Sequence, residues 1–204
     1  MPLLLGLTGG IASGKSTVSQ YFEQRNYPLI DADVVARKVV EPGSKGLALI
    51  VEAFGSEILA SDQSLNREAL GKIIFHDDTK RELLNTVLAD EIKQEIVKEL
   101  LYLTEANYEL IVLDIPLLFE AGYDALVDQI MVVYVDEETQ LNRLMLRDGI
   151  PEHEAQARIK SQMSLEEKVK KSDCVIDNSD SLELTYQQLD IWLNNYKNNL
   201  EKKS

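Results

Sequence analysis

The sequence predicts an α/β fold, a five-stranded parallel sheet covered by helices on both faces. Three observations predict it. Five short apolar runs recur along the 204 residues, continuous rather than alternating, as strands buried on both faces require. Stretches with helical apolar spacing separate them, which is the pattern of repeated βα units. One stretch, between the second and third runs, is too long for a simple crossover and reads as an inserted helical subdomain.

Taken in order, "LLLGLT" (3–8) reads as a buried strand. "STVSQYFEQR" (16–25) reads as a helix with Val18, Tyr21 and Phe22 on one face. "YPLIDAD" (27–33) is a second short strand with a carboxylate-rich exit. From 44 to 106 the pattern is mostly helical, including "LGKIIF" (70–75) and "LLNTVLADEIKQEIVKELLYL" (83–103). "ELIVLDIP" (109–116) and "QIMVVYVD" (129–136) are the third and fourth strands. "EETQLNRLMLRD" (137–148) and "EHEAQARIKSQM" (152–163) are helical, and "DCVIDN" (173–178) is the fifth strand. "LELTYQQLDIWLNNYKNNL" (182–200) is an amphipathic final helix with Trp192 on its buried face. The expected layout is one domain: a core of 1–60, 107–140 and 172–204, a helical insert at 61–106, and a lid at 141–171.

Composition narrows the function. There are 35 acidic and 21 basic side chains, a formal net charge of −14. That is wrong for a nucleic-acid binder, whose partner demands basic surface. No apolar run reaches the roughly 18 residues of a membrane span, and residues 1–5 are too few for a signal-peptide core. Cys174 is the single cysteine, so no internal disulfide forms and a reducing cytoplasm is expected. It falls in a predicted strand and reads as core, while His76 and His153 lack metal-ligand spacing. No obligate protein partner is inferred. If the ligand is an anion, its site must be locally positive against the global sign.

Gly9, Gly14, Lys15 and Ser16 match G-x-x-x-x-G-K-[ST] between a predicted strand and a predicted helix. The glycines permit a tight turn and close backbone approach. Successive N–H groups then point inward as an anion nest, and the helix dipole adds to it. Lys15 brings a full charge toward the β and γ phosphates, and the Ser16 hydroxyl can ligate Mg²⁺. The turn therefore holds a nucleoside triphosphate, and the fold is a P-loop NTPase. The D-x-x-G and N-K-x-D patterns of small GTPases are absent, which favours ATP. Lys15 is expected to serve turnover rather than folding.

Ligands of open α/β sheets bind beyond the carboxyl ends of the strands. Asp31 and Asp33 lie there, two apart, and project to one side if the chain is extended. A kinase needs a carboxylate near the acceptor hydroxyl, whereas an aspartate at this position can equally cap the following helix. Asp114, at the third strand's end, has the position of a Mg²⁺-holding carboxylate, with a cap or turn residue as the alternative. Arg143 and Arg147 lie one helical turn apart, and Arg158 and Lys160 follow on the next helix. Such a cluster suits a phosphate clamp on a lid, or else a solvated face paired with nearby glutamates.

These stretches together resemble the dephospho-CoA kinases over almost the whole chain: "LTGGIASGKSTV", "IDADVVARKVVEPGSKGL", "NREALGKIIF", "DIPLLFEAGYD", "QLNRLMLRDG", "KSQMS" and "DCVIDNSDS" occur in that family's order and spacing. The resemblance implies phosphorylation of the ribose 3′-hydroxyl of dephospho-CoA by ATP with Mg²⁺, the final step of coenzyme A synthesis. It implies that Ala12, Ser13, Gly14, Lys15, Ser16 and Thr17 wrap the ATP phosphates, with Arg143 acting on them from the lid and Asn178 in the loop passing the adenine. It makes Asp33 the candidate base, with Asp33, Arg37 and "PLLFE" (Pro116, Leu117, Leu118, Phe119, Glu120) on the acceptor side, and Ser16 and Asp114 toward the metal. Two positions depart from the family pattern. Ala12 replaces the usual glycine, which a negative φ would accommodate, and Ala89–Asp90 replaces His-Pro in the insert. Another small-molecule kinase of this fold, acting on a nucleoside or nucleotide, is the alternative function. A nucleotide-binding regulatory module is the second, although a switch has no need of an acceptor base.

Overall fold

The computed structural model describes residues 1–74 and 77–201. Phe75, closing the expected helix "LGKIIF", and His76 lie outside the described residues. β1 (Leu3–Gly9) leads through a glycine-rich turn into α1 (Lys15–Gln24). β2 (Leu29–Asp31) is followed by α2 (Ala32–Lys38), α3 (Lys45–Phe54), α4 (Arg67–Ile74) and the long α5 (Asp78–Glu105). Then come β3 (Leu110–Asp114), β4 (Gln129–Tyr134), α6 (Glu137–Asp148), α7 (Glu152–Lys160), α8 (Leu165–Lys170), β5 (Cys174–Asp177) and α9 (Leu182–Glu201). A 3-10 turn at Tyr123–Leu126 and the short α8 are absent from the sequence expectation.

The sheet has strand order β2-β3-β1-β4-β5, and the β1–β3, β1–β4 and β4–β5 pairs run parallel. β1 is central because its leucines can be buried on both sides. Leu5 and Leu7 are fully buried, and Gly6 leaves room for Leu118, whose Cδ1 would lie 2.7 Å from a Cβ there. Strand order reverses at β1, and the carboxyl end of the strand at such a reversal is the place where open parallel sheets take ligands.

The chain forms two compact units, residues Met1–Leu29 with Asn107–Ser204, and residues Ile30–Ala106. The boundary therefore falls at Ile30 rather than at 61. The reason is apolar: Val40, Leu47 and Ile50 cluster with Ile58 and Leu70, and Leu84, Val87 and Leu88 of α5 pack on them. That pairing binds α3 to α5 and makes residues 30–60 part of the helical unit. The first unit has its own core, in which Val18, Tyr21 and Phe22 of α1 meet Leu5, Leu7, Val112, Met131, Val133, Leu189 and Leu193. Trp192 packs at its margin, edge-on to Phe22 and stacked on Tyr196. Cys174 packs there too, and burial pushes its thiol up to about 11, which keeps it protonated and unreactive. Among the described residues no helix is long and apolar enough to cross a membrane.

Candidate active site

The turn between β1 and α1 is built from backbone. Ser13 N–H donates to Gly10 O at 3.1 Å and Thr17 N–H to Gly14 O at 2.9 Å. Gly14 sits at α1's N-terminus with φ +85°, a conformation that costs glycine almost nothing. Its missing Cβ also makes room for the Asn178 amide. No side chain caps α1 and its first turn holds no acid, so its leading N–H groups and positive dipole end face the turn. Ala12 has φ +60°, which corrects the expectation of a negative angle. An L-residue there costs about 1–2 kcal/mol from its Cβ crowding the carbonyl. Ser13 Oγ is buried without a hydrogen-bond partner among the described residues.

Lys15 pairs with the buried carboxylate of Asp114, and Ser19 Oγ donates to that carboxylate's other oxygen at 2.5 Å. Three predicted or neighbouring groups thus meet where β3 ends and α1 begins. Ser16 is exposed at the first turn. A hydroxyl and a carboxylate are the hard oxygen donors Mg²⁺ prefers. No cluster of three acidic, histidine or cysteine side chains able to hold a metal exists among the described residues. That donor set fits a Mg²⁺ carried mainly by nucleotide phosphates, with few protein ligands.

Asn178 follows β5 and grips the turn: its Nδ2 donates to Ser13 O at 2.9 Å, while its Oδ1 accepts from Thr185 Oγ1 at 2.8 Å. Its side chain is therefore occupied by protein. Arg143, on α6, donates to Asn178 O at 2.9 Å, so these two residues are brought together, through a backbone carbonyl rather than through the glutamates considered from sequence. Arg147 and Arg158 converge on Asp148 from α6 and α7, and the Arg147 bond holds the Asp148 carboxyl below the usual carboxylate range.

In "PLLFE", Leu118 is fully buried beside Gly6, which does not fit its expected place facing substrate. Leu117 is exposed, and Phe119 lies beside Lys171. Pro116 O accepts from Thr8 Oγ1 at 2.9 Å and from Lys168 Nζ at 3.0 Å. Lys168 is fully buried, also donates to Gly9 O at 3.2 Å, and pairs with Glu120 at 3.0 Å. Glu120 in turn accepts from Met163 N at 3.0 Å. Lys168 therefore ties the start of the phosphate loop to "PLLFE", a function no reading of the sequence assigned. The available signal was a lysine at a buried helical position of "LEEKVK".

In the helical unit, the chain turns into α2 at Ala32, so Asp31 and Asp33 do not share one extended strand as the two-residue spacing suggested. Asp31 is the N-cap: its Oδ1 accepts from Asp33 N at 2.7 Å and from Val34 N at 3.3 Å. The Asp33 carboxylate is exposed in the first helical turn with no hydrogen-bond or ion-pair partner among the described residues, and Arg37 stands one turn on, also exposed.

The family model described as dephospho-CoA kinase matches residues 3–183. A dephospho-CoA kinase of Listeria innocua is 50% identical over 195 residues, covering 96% of this chain and 98% of its own. One of Oceanobacillus iheyensis is 50% identical over 190 residues, covering 93% and 96%. Among solved structures, dephospho-CoA kinase from Campylobacter jejuni superposes with a TM-score of 0.75 at 29% identity, covering 98% of this chain and 100% of that one. A Thermus thermophilus protein superposes at 0.77 with 30% identity, covering 95% and 97%. With the phosphate loop at the reversal of strand order and this likeness running from end to end, the chain belongs to the dephospho-CoA kinase family.

Proposed function

We propose that this chain transfers the γ-phosphoryl group of ATP to the ribose 3′-hydroxyl of dephospho-CoA in the cytoplasm, giving CoA and ADP. One observation carries the reading most directly: a glycine-rich turn with an uncapped helix N-terminus, next to Lys15 on Asp114, in a chain of this family. The N–H groups of residues 12–17 hold the phosphates, and Lys15 swings its charge between Asp114 and the γ-phosphate. Ser16 and the Asp114 carboxylate, together with the nucleotide, would hold Mg²⁺, which would supply charge neutralisation at the transferring group. Arg143 supplies a fork of donors from α6, and Asn178 fixes the loop that passes the adenine.

Asp33 orients the acceptor hydroxyl. Its support is its freedom: Asp31 is occupied as a cap, whereas the Asp33 carboxylate has no partner among the described residues. Oxygen O3′ forms its bond to the γ-phosphorus as the bond from that phosphorus to the bridging oxygen breaks. ADP leaves with the electron pair, and the hydroxyl proton passes to Asp33. Arg37, Pro116, Leu117, Phe119 and Glu120 shape the acceptor side. The test is ADP release with Mg-ATP across dephospho-CoA, adenosine, AMP and shikimate. Release is expected with dephospho-CoA alone, and equal release with AMP or shikimate would sink the acceptor assignment.

A further inference from the structure

We propose that Gln140 and Gln162 are positioning residues for the phosphate loop, gripping Ile11 from two sides so that Ala12 keeps its left-handed conformation. Gln162 Oε1 accepts from Ile11 N–H at 2.9 Å, and Gln140 Nε2 donates to Ile11 O at 2.9 Å. The two come from different places, Gln140 from the first turn of α6 and Gln162 from the turn between α7 and α8. Together they fix both peptide planes flanking Ile11. The plane on the far side of Ala12 is fixed as well, by Ser13 N–H on Gly10 O, and the next plane, between Ser13 and Gly14, by the bond from Asn178 to Ser13 O. Ala12 thus sits between two anchored planes, and its φ of +60° is imposed rather than chosen.

The imposition matters because of the residue type. Left alone, an alanine disfavours this conformation by about 5–30-fold, and it would relax and swing the following N–H groups out of the nest. Glycine at the same place holds the angle without help. Gln140 is 5% exposed, and its amide is placed where any side chain on Gly10 would collide with it. Both gripping groups are neutral amides. A carboxylate at 162 could accept the same N–H, but it would bring negative charge beside a nest for anions. The two glutamines act through the loop.

The proposal rests on reading residues 9–17 as the ATP phosphate loop, and its test separates the two. Gln140→Met and Gln162→Met keep bulk and remove the bonds. Each is made in the native chain and in an Ala12→Gly background, with folding checked by circular dichroism and Lys15→Ala measured beside them. In the native background each is expected to raise the KM for ATP about 10-fold while the KM for dephospho-CoA moves less than about 3-fold. In the glycine background the same substitutions are expected to change the KM for ATP by less than about 3-fold, because the angle no longer needs holding. An equal rise in both backgrounds, or none in either, overturns the grip. Near-normal turnover in Lys15→Ala overturns the loop reading itself, and the grip with it. Should either methionine variant fail to fold, Gln→Ala at that position is measured with the same two backgrounds, and rescue by Ala12→Gly remains the deciding result.

Discussion

Asp31 and Asp33 are the same amino acid two positions apart, and the backbone gives them different work. Asp31 has β-region angles and satisfies two N–H groups at the start of α2, so Asp31→Ala is expected to lower stability by about 0.5–2 kcal/mol in thermal unfolding, with a smaller effect on turnover than losing Asp33. Asp33→Asn keeps the shape and removes the charge. Turnover is expected to fall at least about 10²-fold, with ATP affinity by calorimetry changing less than about 10-fold. Retention of more than about a third of turnover moves the role to Asp114. Lys15→Ala is expected to abolish most turnover, and the structure adds a stability loss that the sequence did not suggest. Removing the ammonium leaves the buried Asp114 short of its cation, at about 1–3 kcal/mol after allowance for Lys15's partial exposure. Adding Asp114→Asn to Lys15→Ala is then expected to restore much of the melting temperature and none of the turnover. A melting temperature unmoved by Lys15→Ala would remove the structural half of that argument. Lys15 and Ser16 were legible because the motif names them by letter, and Asp114 because it closes an apolar strand. Gln140, Gln162 and Lys168 were not, because most of their partners are main-chain atoms, identical at every position of a sequence.

Apolar period and caps located most elements. α6 begins where Asp136 caps Thr139 N–H and ends at Gly149, with φ +65°, as the letters suggest. The ends that differ have local causes. The helix expected over 152–163 stops at Lys160 because Gln162 and Met163 turn out to bond Ile11 and Glu120. Ser164 and Glu167 then form a capping box and start α8, a signal present in "SLEE". Those same contacts shape the expectation for the lid. α6 and α7 are joined through Gly149 and Pro151, and Arg147 and Arg158 spend their donors on Asp148 and Glu154. On these grounds ATP with dephospho-CoA is expected to slow hydrogen exchange across residues 143–165, as the arginines gain anionic partners. Exchange unchanged by both ligands would mark these arginines as a solvated surface.

At the scale of the whole molecule, a net charge of −14 coexists with a phosphate site because the cations that matter are placed locally, by α1's N-terminus and by Lys15. The more consequential feature is that each compact unit owns a core. Ile50 and Ile58 are fully buried in residues 30–106, while Leu5, Leu7 and Phe22 are fully buried in the unit carrying the phosphate loop. The proposed assignment places the acceptor base on the first of these and the ATP site on the second. Ile50→Ala should therefore separate them. Truncating that side chain costs about 2–5 kcal/mol, and the loss falls on the contacts of α3 with α5. Amides of α3 and α5 are expected to lose hydrogen-exchange protection while those of β1 and β4 keep theirs. ATP affinity is expected to stay within about 3-fold, because independent sites add within a few tenths of a kcal/mol. The KM for dephospho-CoA is expected to rise, since Asp33 and Arg37 are carried by the weakened unit. Equal loss of protection in β1 and α5 would mean that the two cores melt as one, and a rise confined to the KM for ATP would place the acceptor site outside residues 30–106.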